Sequence, residues 1–395
     1  MKKDDLKKEI LFIDQLLKKR FEEYPERGKW YDLLGKHLTK FSERLIKYID
    51  FDSFEPHPNV EQVCNSFSKR PIFICGSMKS GTTLLSQLLD NHSDLFVLPG
   101  DSHFFHQYKR WDRNDFEGIV NYWIYRFINP SGKEPFWFLG PDFNSLAIFS
   151  KYLNYFINQT SYDIFVCVVM AVYSTLEEDE KKISKKKYWV EKTPGNELHV
   201  PFFTQKFPDA KFIHIIRDPL ENLASLRKLT KLRKRNLSIY EDALDMKKQF
   251  NAGRKNLKKL GDNKYHIIKY GKLVSEPEKV LNTICQFLGI PFEKTLLEPT
   301  ENGVPAMSNS MFKDSRVRGK IIDQSRSKRF KNFLNQSTIQ DILALMEPEV
   351  TYFGYSWDKE VIGHSHDTRL SKVLRKTKVM SAISLKKGKR FINNL

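Results

Sequence analysis

The segment Gly76-Ser-Met-Lys79-Ser80-Gly81-Thr82-Thr83 limits what this chain can fold into more than any other. The apolar run Pro71-Ile-Phe-Ile-Cys75 leads into it and the helical pattern Leu84-Leu85-Ser-Gln-Leu88-Leu89 leads out. Strand, glycine turn and helix in that order aim backbone N–H groups and a helix N-terminus at a single anion. The segment therefore predicts an α/β protein with a phosphate- or sulfate-binding turn. Its two glycines have the separation of a Walker A loop, but Thr82 stands where that loop carries its lysine, and the lysine has moved inside as Lys79. The exchange removes the ammonium that reaches a β/γ-phosphate and keeps one that neutralises the cradled anion, which disfavours ATP or GTP chemistry. Taken alone, the loop also fits an ordinary strand-to-helix turn, with Thr82 and Thr83 as helix caps.

Strands and helices continue to alternate downstream. Tyr188-Trp-Val190 ends in Glu191-Lys192-Thr193-Pro194, and the near-continuous apolar run 211–216 ends in Arg217-Asp218-Pro219. Leu220, Leu223, Leu226 and Leu229 then mark a helix, 265–269 a further strand, and Val280, Leu281, Ile284, Phe287 and Leu288 a helix closed at Gly289. This pattern predicts a doubly wound, mainly parallel sheet flanked by helices, with ligands at the strand carboxyl ends. Each motif with chemical potential falls at such an end.

The stretch of about 104–176 interrupts the alternation with Phe104, Phe105, Tyr108, Trp111, Tyr122, Trp123, Trp137, Phe138 and Tyr155. It reads as a helical insertion whose rings either pack a core or line an acceptor pocket. The apolar run 164–173 is too short to cross a bilayer and reads as a buried helix or strand. Leu6, Ile10, Ile13, Leu17 and Phe21 repeat at helical spacing with no export signal, and Cys64, Cys75, Cys167 and Cys285 form no C-x-x-C pair. Buried, reduced thiols and a cytoplasmic location are the expectation. The chain divides into an N-terminal helical segment (1–68), a main domain (69–356) and a basic tail (357–395).

Hydrophobic residues at 40% indicate a globular protein, and the net charge of +18 points to acidic partners without naming them. In the tail, Leu370, Val373, Leu374, Val379, Met380 and Ile383 give an apolar helix face among arginines and lysines. A solvated tail and a peripheral helix on an anionic membrane surface both fit that pattern.

Four pieces in order resemble the sulfotransferases that use 3′-phosphoadenosine-5′-phosphosulfate. These are the loop 76–85, Glu191-Lys192-Thr193-Pro194, the strand ending in Arg217-Asp218-Pro219 with Ser225 eight residues after the arginine, and the stretch from Asn309-Ser-Met-Phe312 to Phe353-Gly-Tyr355. The resemblance spans about 71–355 and is strongest to the bacterial members and the tyrosylprotein branch. It implies a P-loop-like fold and transfer of a sulfuryl group from that donor to a hydroxyl or amine. By position, Lys79, Ser80, Gly81, Thr82 and Thr83 match the residues that bind the 5′-phosphosulfate, and Arg217 and Ser225 those that hold the 3′-phosphate. Leu229 stands where the tyrosylprotein branch has another arginine, with Arg227 and Lys228 beside it.

The same resemblance gives Lys79 and Lys192 to the leaving and sulfuryl oxygens, and Ser308 or Ser310 to a further hydrogen bond. For the base that takes the acceptor proton it offers Asp101, with His103 two residues on as the alternative and helix capping by Asp101 as the plain reading. His92 reads as the end of the loop helix. Arg316, Arg318 and Lys320 read as a closing loop over nucleotide or acidic sugar, or as solvated charge. No metal is expected, since sulfuryl transfer has no polyphosphate to bridge and no cluster has ligand spacing. A P-loop kinase-like phosphotransferase is the competing enzyme reading, and a basic nucleic-acid-binding protein the competing non-enzyme one, although no specific nucleic acid is expected. The acceptor is left open among carbohydrate, lipid and small molecule, with basic and aromatic residues leaning toward a saccharide or glycolipid.

Overall fold

Five parallel strands carry the motifs in the computed structural model. It describes residues 3–19, 27–108, 110–128, 137–177, 186–232, 238–310, 316–323, 328–358, 361 and 369–392. Strands β1 (Pro71–Cys75), β2 (Leu95–Val97), β3 (Tyr188–Lys192), β4 (Lys211–Ile216) and β5 (Tyr265–Lys269) lie in the order β2-β3-β1-β4-β5. Their register sets Ile74 beside both Lys192 and Ile213, and Ile216 beside Lys269. The segments that leave β1, β3, β4 and β5 at their carboxyl ends are therefore neighbours. That edge is where the expected site residues gather.

The strands are largely apolar because both faces of the sheet are covered. Ile72, Ile74, Val190, Ile213, Ile215 and Ile268 enter one core, while Phe73, Cys75, Trp189, Phe212 and Tyr265 enter the other, as the two-residue period of a strand requires. On the first face lie helices α4 (Thr82–Leu89), α12 (Tyr270–Ser275) and α13 (Pro277–Leu288), α13 closing at Gly289 with φ +70°. The second face meets α9 (Val200–Lys206) and the interruption, which is helical: α5 (Phe104–Tyr108), α6 (Phe116–Phe127), α7 (Phe143–Gln159) and α8 (Ile164–Glu177). Asp115 and Asp142 cap α6 and α7 by accepting from Gly118 N–H at 3.1 Å and Ser145 N–H at 2.9 Å.

The apolar run 164–173 is the body of α8, buried on all sides as a helix without a polar stripe must be. The aromatic residues divide between the core and the surface. Phe104 and Trp123 are fully buried, Phe104 lying 3.8 Å from Phe165, whereas Trp111 and Tyr122 remain half-buried on a surface cleft. Helices α1 (Lys3–Lys19), α2 (Arg27–Tyr48) and α3 (Val60–Phe67) bury Leu6, Trp30, Phe41 and Phe67 in the same core as α6, α7 and α8.

A third core joins α10 (Pro219–Leu232), α11 (Ile239–Leu260), α14 (Gln336–Tyr352) and the tail helix α15 (Arg369–Ile392). Here the expected apolar face of the tail splits. Val379 and Ile383 are buried, while Leu370, Val373, Leu374 and Met380 stay exposed. The fully buried carboxylate of Asp341 on α14 holds α15, accepting from Lys378 Nζ at 2.6 Å and Arg375 Nη1 at 3.0 Å. All four cysteines are buried and free. Among the described residues no helix is long and apolar enough to cross a membrane. Phe21 and Phe312, singled out in the sequence, lie outside the described residues.

Candidate active site

The turn between β1 and α4 works only with its glycines. Gly76 and Gly81 have φ of +147° and +115°, and a Cβ would lie 2.6 Å from Ile215 O at the first and 2.4 Å from Tyr270 Cδ2 at the second. Lys79 joins them in the left-handed region at φ +70°. No side chain caps α4 at Gly81, so its first N–H groups point into the turn, and Ser80 Oγ is buried with no hydrogen-bond partner. These are the attributes of an anion cradle. The entry to the turn is fixed from β3's side of the molecule. Gly76 N–H donates to Glu197 Oε2 at 2.7 Å, and burial pushes this carboxyl up to about 7.

The segment after residue 306 passes beside the turn. Lys79 Nζ donates to Asn309 O at 2.8 Å, and Asn309 Nδ2 donates to Thr83 Oγ1 at 3.3 Å. Ser308 instead braces its own hairpin, its Oγ accepting Val317 N–H at 3.2 Å. Arg318 Nη1 donates to Pro305 O at 2.9 Å within that hairpin, and Arg316 and Lys320 are exposed.

Arg217, at the end of β4, reaches the turn. It is buried, its Nη1 donates to Lys79 O at 3.2 Å, its guanidinium lies 4.5 Å over the Tyr270 ring, and its Nε has no hydrogen-bond partner. Asp218 also caps α10, accepting Leu220 N–H at 2.8 Å, and takes Trp357 Nε1–H at 2.9 Å. Close to Arg217 and Asp218 the buried hydroxyl of Tyr355 has no hydrogen-bond partner either. Ser225 is buried two helical turns into α10, and Arg227 is directed to α11, 3.9 Å from Asp242.

Across the turn, Lys192 Nζ is paired with Asp101 Oδ1 and donates to Thr83 Oγ1 at 3.4 Å. Burial pushes the Asp101 carboxyl up, but the charge and hydrogen bond of Lys192, with smaller help from His103 and Arg126, hold it below the ordinary carboxylate range. His103 shifts downward: burial and the Arg126 cation outweigh the Asp101 charge that opposes them. At neutral pH the pair is thus an ionised, lysine-bound carboxylate beside a neutral imidazole. The loop that carries them is anchored to β3. His103 N–H donates to Thr193 Oγ1 at 2.9 Å, and Thr193 Oγ1, Ser102 Oγ and Asn196 Nδ2 each donate to the fully buried Glu191 at 2.6 Å.

On the far side of this loop Tyr122 OH donates to Ser102 O at 2.7 Å. The same ring lines a cleft of about 400 Å³, together with Gln107, Arg110, Trp111, Asn121 and Tyr125. His92 is structural: its Nε2 contacts Pro291 O at 2.8 Å and its Nδ1 accepts Asp94 N–H at 3.0 Å.

The fold therefore brings Lys79, Ser80, Gly81, Thr82, Thr83, Lys192, Asp101, His103 and Arg217 to one edge of the sheet. It adds Asn309, Tyr270, Glu197 and Arg126. Tyr270 had a readable signal, since it directly follows a strand just as Arg217 does. The others depend on contacts far apart in sequence.

A family model described as "Sulfotransferase family" matches residues 71–294. An uncharacterized protein of Aquifex aeolicus (strain VF5) is 26% identical over 330 residues, which is 78% of this chain and 39% of that protein. The chain thus spans about two fifths of the length of the curated relative it matches. Among solved structures, the sulfotransferase domain from the Synechococcus PCC 7002 olefin synthase is 18% identical with a TM-score of 0.45, covering 73% of this chain and 96% of that one. Mouse sulfotransferase SULT7A1, complexed with PAP, is 13% identical with a TM-score of 0.37, covering 75% and 93%.

Proposed function

Because the chain belongs to the sulfotransferase family, we propose that it moves a sulfuryl group from 3′-phosphoadenosine-5′-phosphosulfate to a hydroxyl of a saccharide acceptor. One observation carries the donor side of this reading. Arg217, with an unpartnered buried Nε, touches the carbonyl of Lys79 at 3.2 Å, so two sets of anion-binding groups adjoin in one site. When bound, the donor supplies an activated sulfuryl group attached to a phosphate that leaves. The turn residues Lys79 to Thr83 would hold its 5′ end and Arg217 with Ser225 its 3′-phosphate. Charge-assisted contacts of this kind are stronger than neutral ones.

The chain's own residues divide the remaining work. Lys192, buried between Thr83 and Asp101, brings positive charge to the mouth of the turn, where negative charge grows in transfer. Asp101 orients that ammonium and, held ionised by it, makes a weak base. His103 is neutral at pH 7 and has a free electron pair to take the acceptor proton. The cleft beside Tyr122 supports the saccharide reading. Trp111, Tyr122 and Tyr125 offer ring faces for sugar C–H edges, and Gln107, Arg110 and Asn121 offer hydrogen bonds to hydroxyls.

Titration with 3′,5′-phosphoadenosine in the absence of magnesium tests the donor assignment. Binding should need no metal and should weaken about 10- to 100-fold in Arg217→Ala, the loss of one charge-assisted contact. A preference for Mg-ATP would sink the proposal.

A further inference from the structure

We propose that α15 seats the protein on an anionic lipid bilayer through an exposed apolar stripe bordered by lysines. The proposal is independent of the chemistry assigned to the active site. Leu370, Val373, Leu374, Met380 and Leu385 expose 68%, 51%, 61%, 45% and 69% of their surface. At 100° per residue they fall within a sector of about 140° that runs along the helix. The opposite side of α15 is occupied, Val379 and Ile383 being buried in the third core. The stripe is therefore a second apolar face, distinct from the one that folds the helix onto the protein.

Charge identifies what covers it. The helix has nine lysines and arginines and no carboxylate, half of the chain's net charge of +18. Arg375 is turned inward to Asp341 and Gln340, and Lys372 to Glu347, which docks the helix against α14. Lys376 and Lys378 border the stripe on its two sides, and Lys378 keeps 56% of its side chain exposed while bonding Asp341 at 2.6 Å. Leucines flanked by lysines on a helix parallel to a surface suit the boundary between acyl chains and anionic headgroups. A protein partner with an apolar groove would have to be acidic around it, and a polyanion such as RNA would have no use for the leucines.

Co-sedimentation of the full chain with vesicles tests this. Binding is expected to vesicles of phosphatidylglycerol and phosphatidylcholine in equal parts, and not to phosphatidylcholine alone. The double variant Leu370→Gln/Leu374→Gln leaves the charge untouched and changes two exposed positions, so the fold, checked by circular dichroism, should persist. It should lose about tenfold or more of its partition onto the anionic vesicles. Three results would each overturn the proposal: no binding to anionic vesicles, binding indifferent to the two leucines, or lipid-free self-association that disappears in the variant. The second would mark a general polyanion surface and the third a contact between copies of this chain.

Discussion

His103 and Asp101 are two residues apart on one loop, and each shapes the other's proton affinity. Both lie below their ordinary values, but for Asp101 this means a carboxylate ionised throughout the working range, while for His103 it means a base already neutral at pH 7. If His103 accepts the acceptor proton, kcat should be lost on the acid side only below the usual histidine pKa of about 6.5. His103→Gln should remove that limb and lower kcat about 10²- to 10⁴-fold with 3′,5′-phosphoadenosine affinity unchanged. In Asp101→Asn the charge that props up the imidazole is gone, so the limb should move to still lower pH. A limb that survives in His103→Gln would transfer the role elsewhere. Much of this placement was legible: Lys79, Thr83, Lys192 and Arg217 sit beside glycine spacing or at strand ends. What was not legible was who holds them. Gly76 finds Glu197 across 121 residues and Lys79 finds Asn309 across 230, and no local pattern encodes such pairs.

Elements were readable wherever glycine, proline or a change of period punctuated them, as in β1 to α4, β4 to α10 and α13 to Gly289. Packing between elements was not, and Gly253 illustrates why. It lies inside α11, where glycine is usually a cost, yet a Cβ there would stand 2.5 Å from His214 Nδ1 on β4. His214 is buried, pushed down to about 3 by that burial, and its Nδ1 lies 2.9 Å from Tyr265 OH. The helix can approach the sheet only because the side chain is missing. Gly253→Ala should therefore destabilise the fold by about 1–3 kcal/mol despite its better helix propensity, read as a lower midpoint in chemical denaturation. An unchanged or higher midpoint would mean that the helix shifts to accommodate the methyl group. The tail helix was likewise half readable. Its basic and apolar residues were evident, but its partner Asp341 lies more than thirty residues upstream inside another helix.

At the scale of the molecule, the sheet with its apolar strands was written plainly in the sequence, because burial on both faces leaves no alternation to misread. The long aromatic interruption could not be resolved between core and cleft from composition, and the fold uses it for both. Glu191 shows what this architecture does to motion. Its two oxygens tie the loop of Asp101 and His103, through Ser102 and Thr193, to Asn196, whose Nδ2 also donates to Ile74 O of the central strand. The wall that carries Asp101 and His103 is thereby tied to the middle of the sheet, and its amide hydrogens should exchange slowly in a hydrogen–deuterium exchange measurement. The opposite rim meets the turn through Asn309, which accepts from Lys79 and donates to Thr83. One side of the candidate site is thus braced by the sheet and the other by a loop contact.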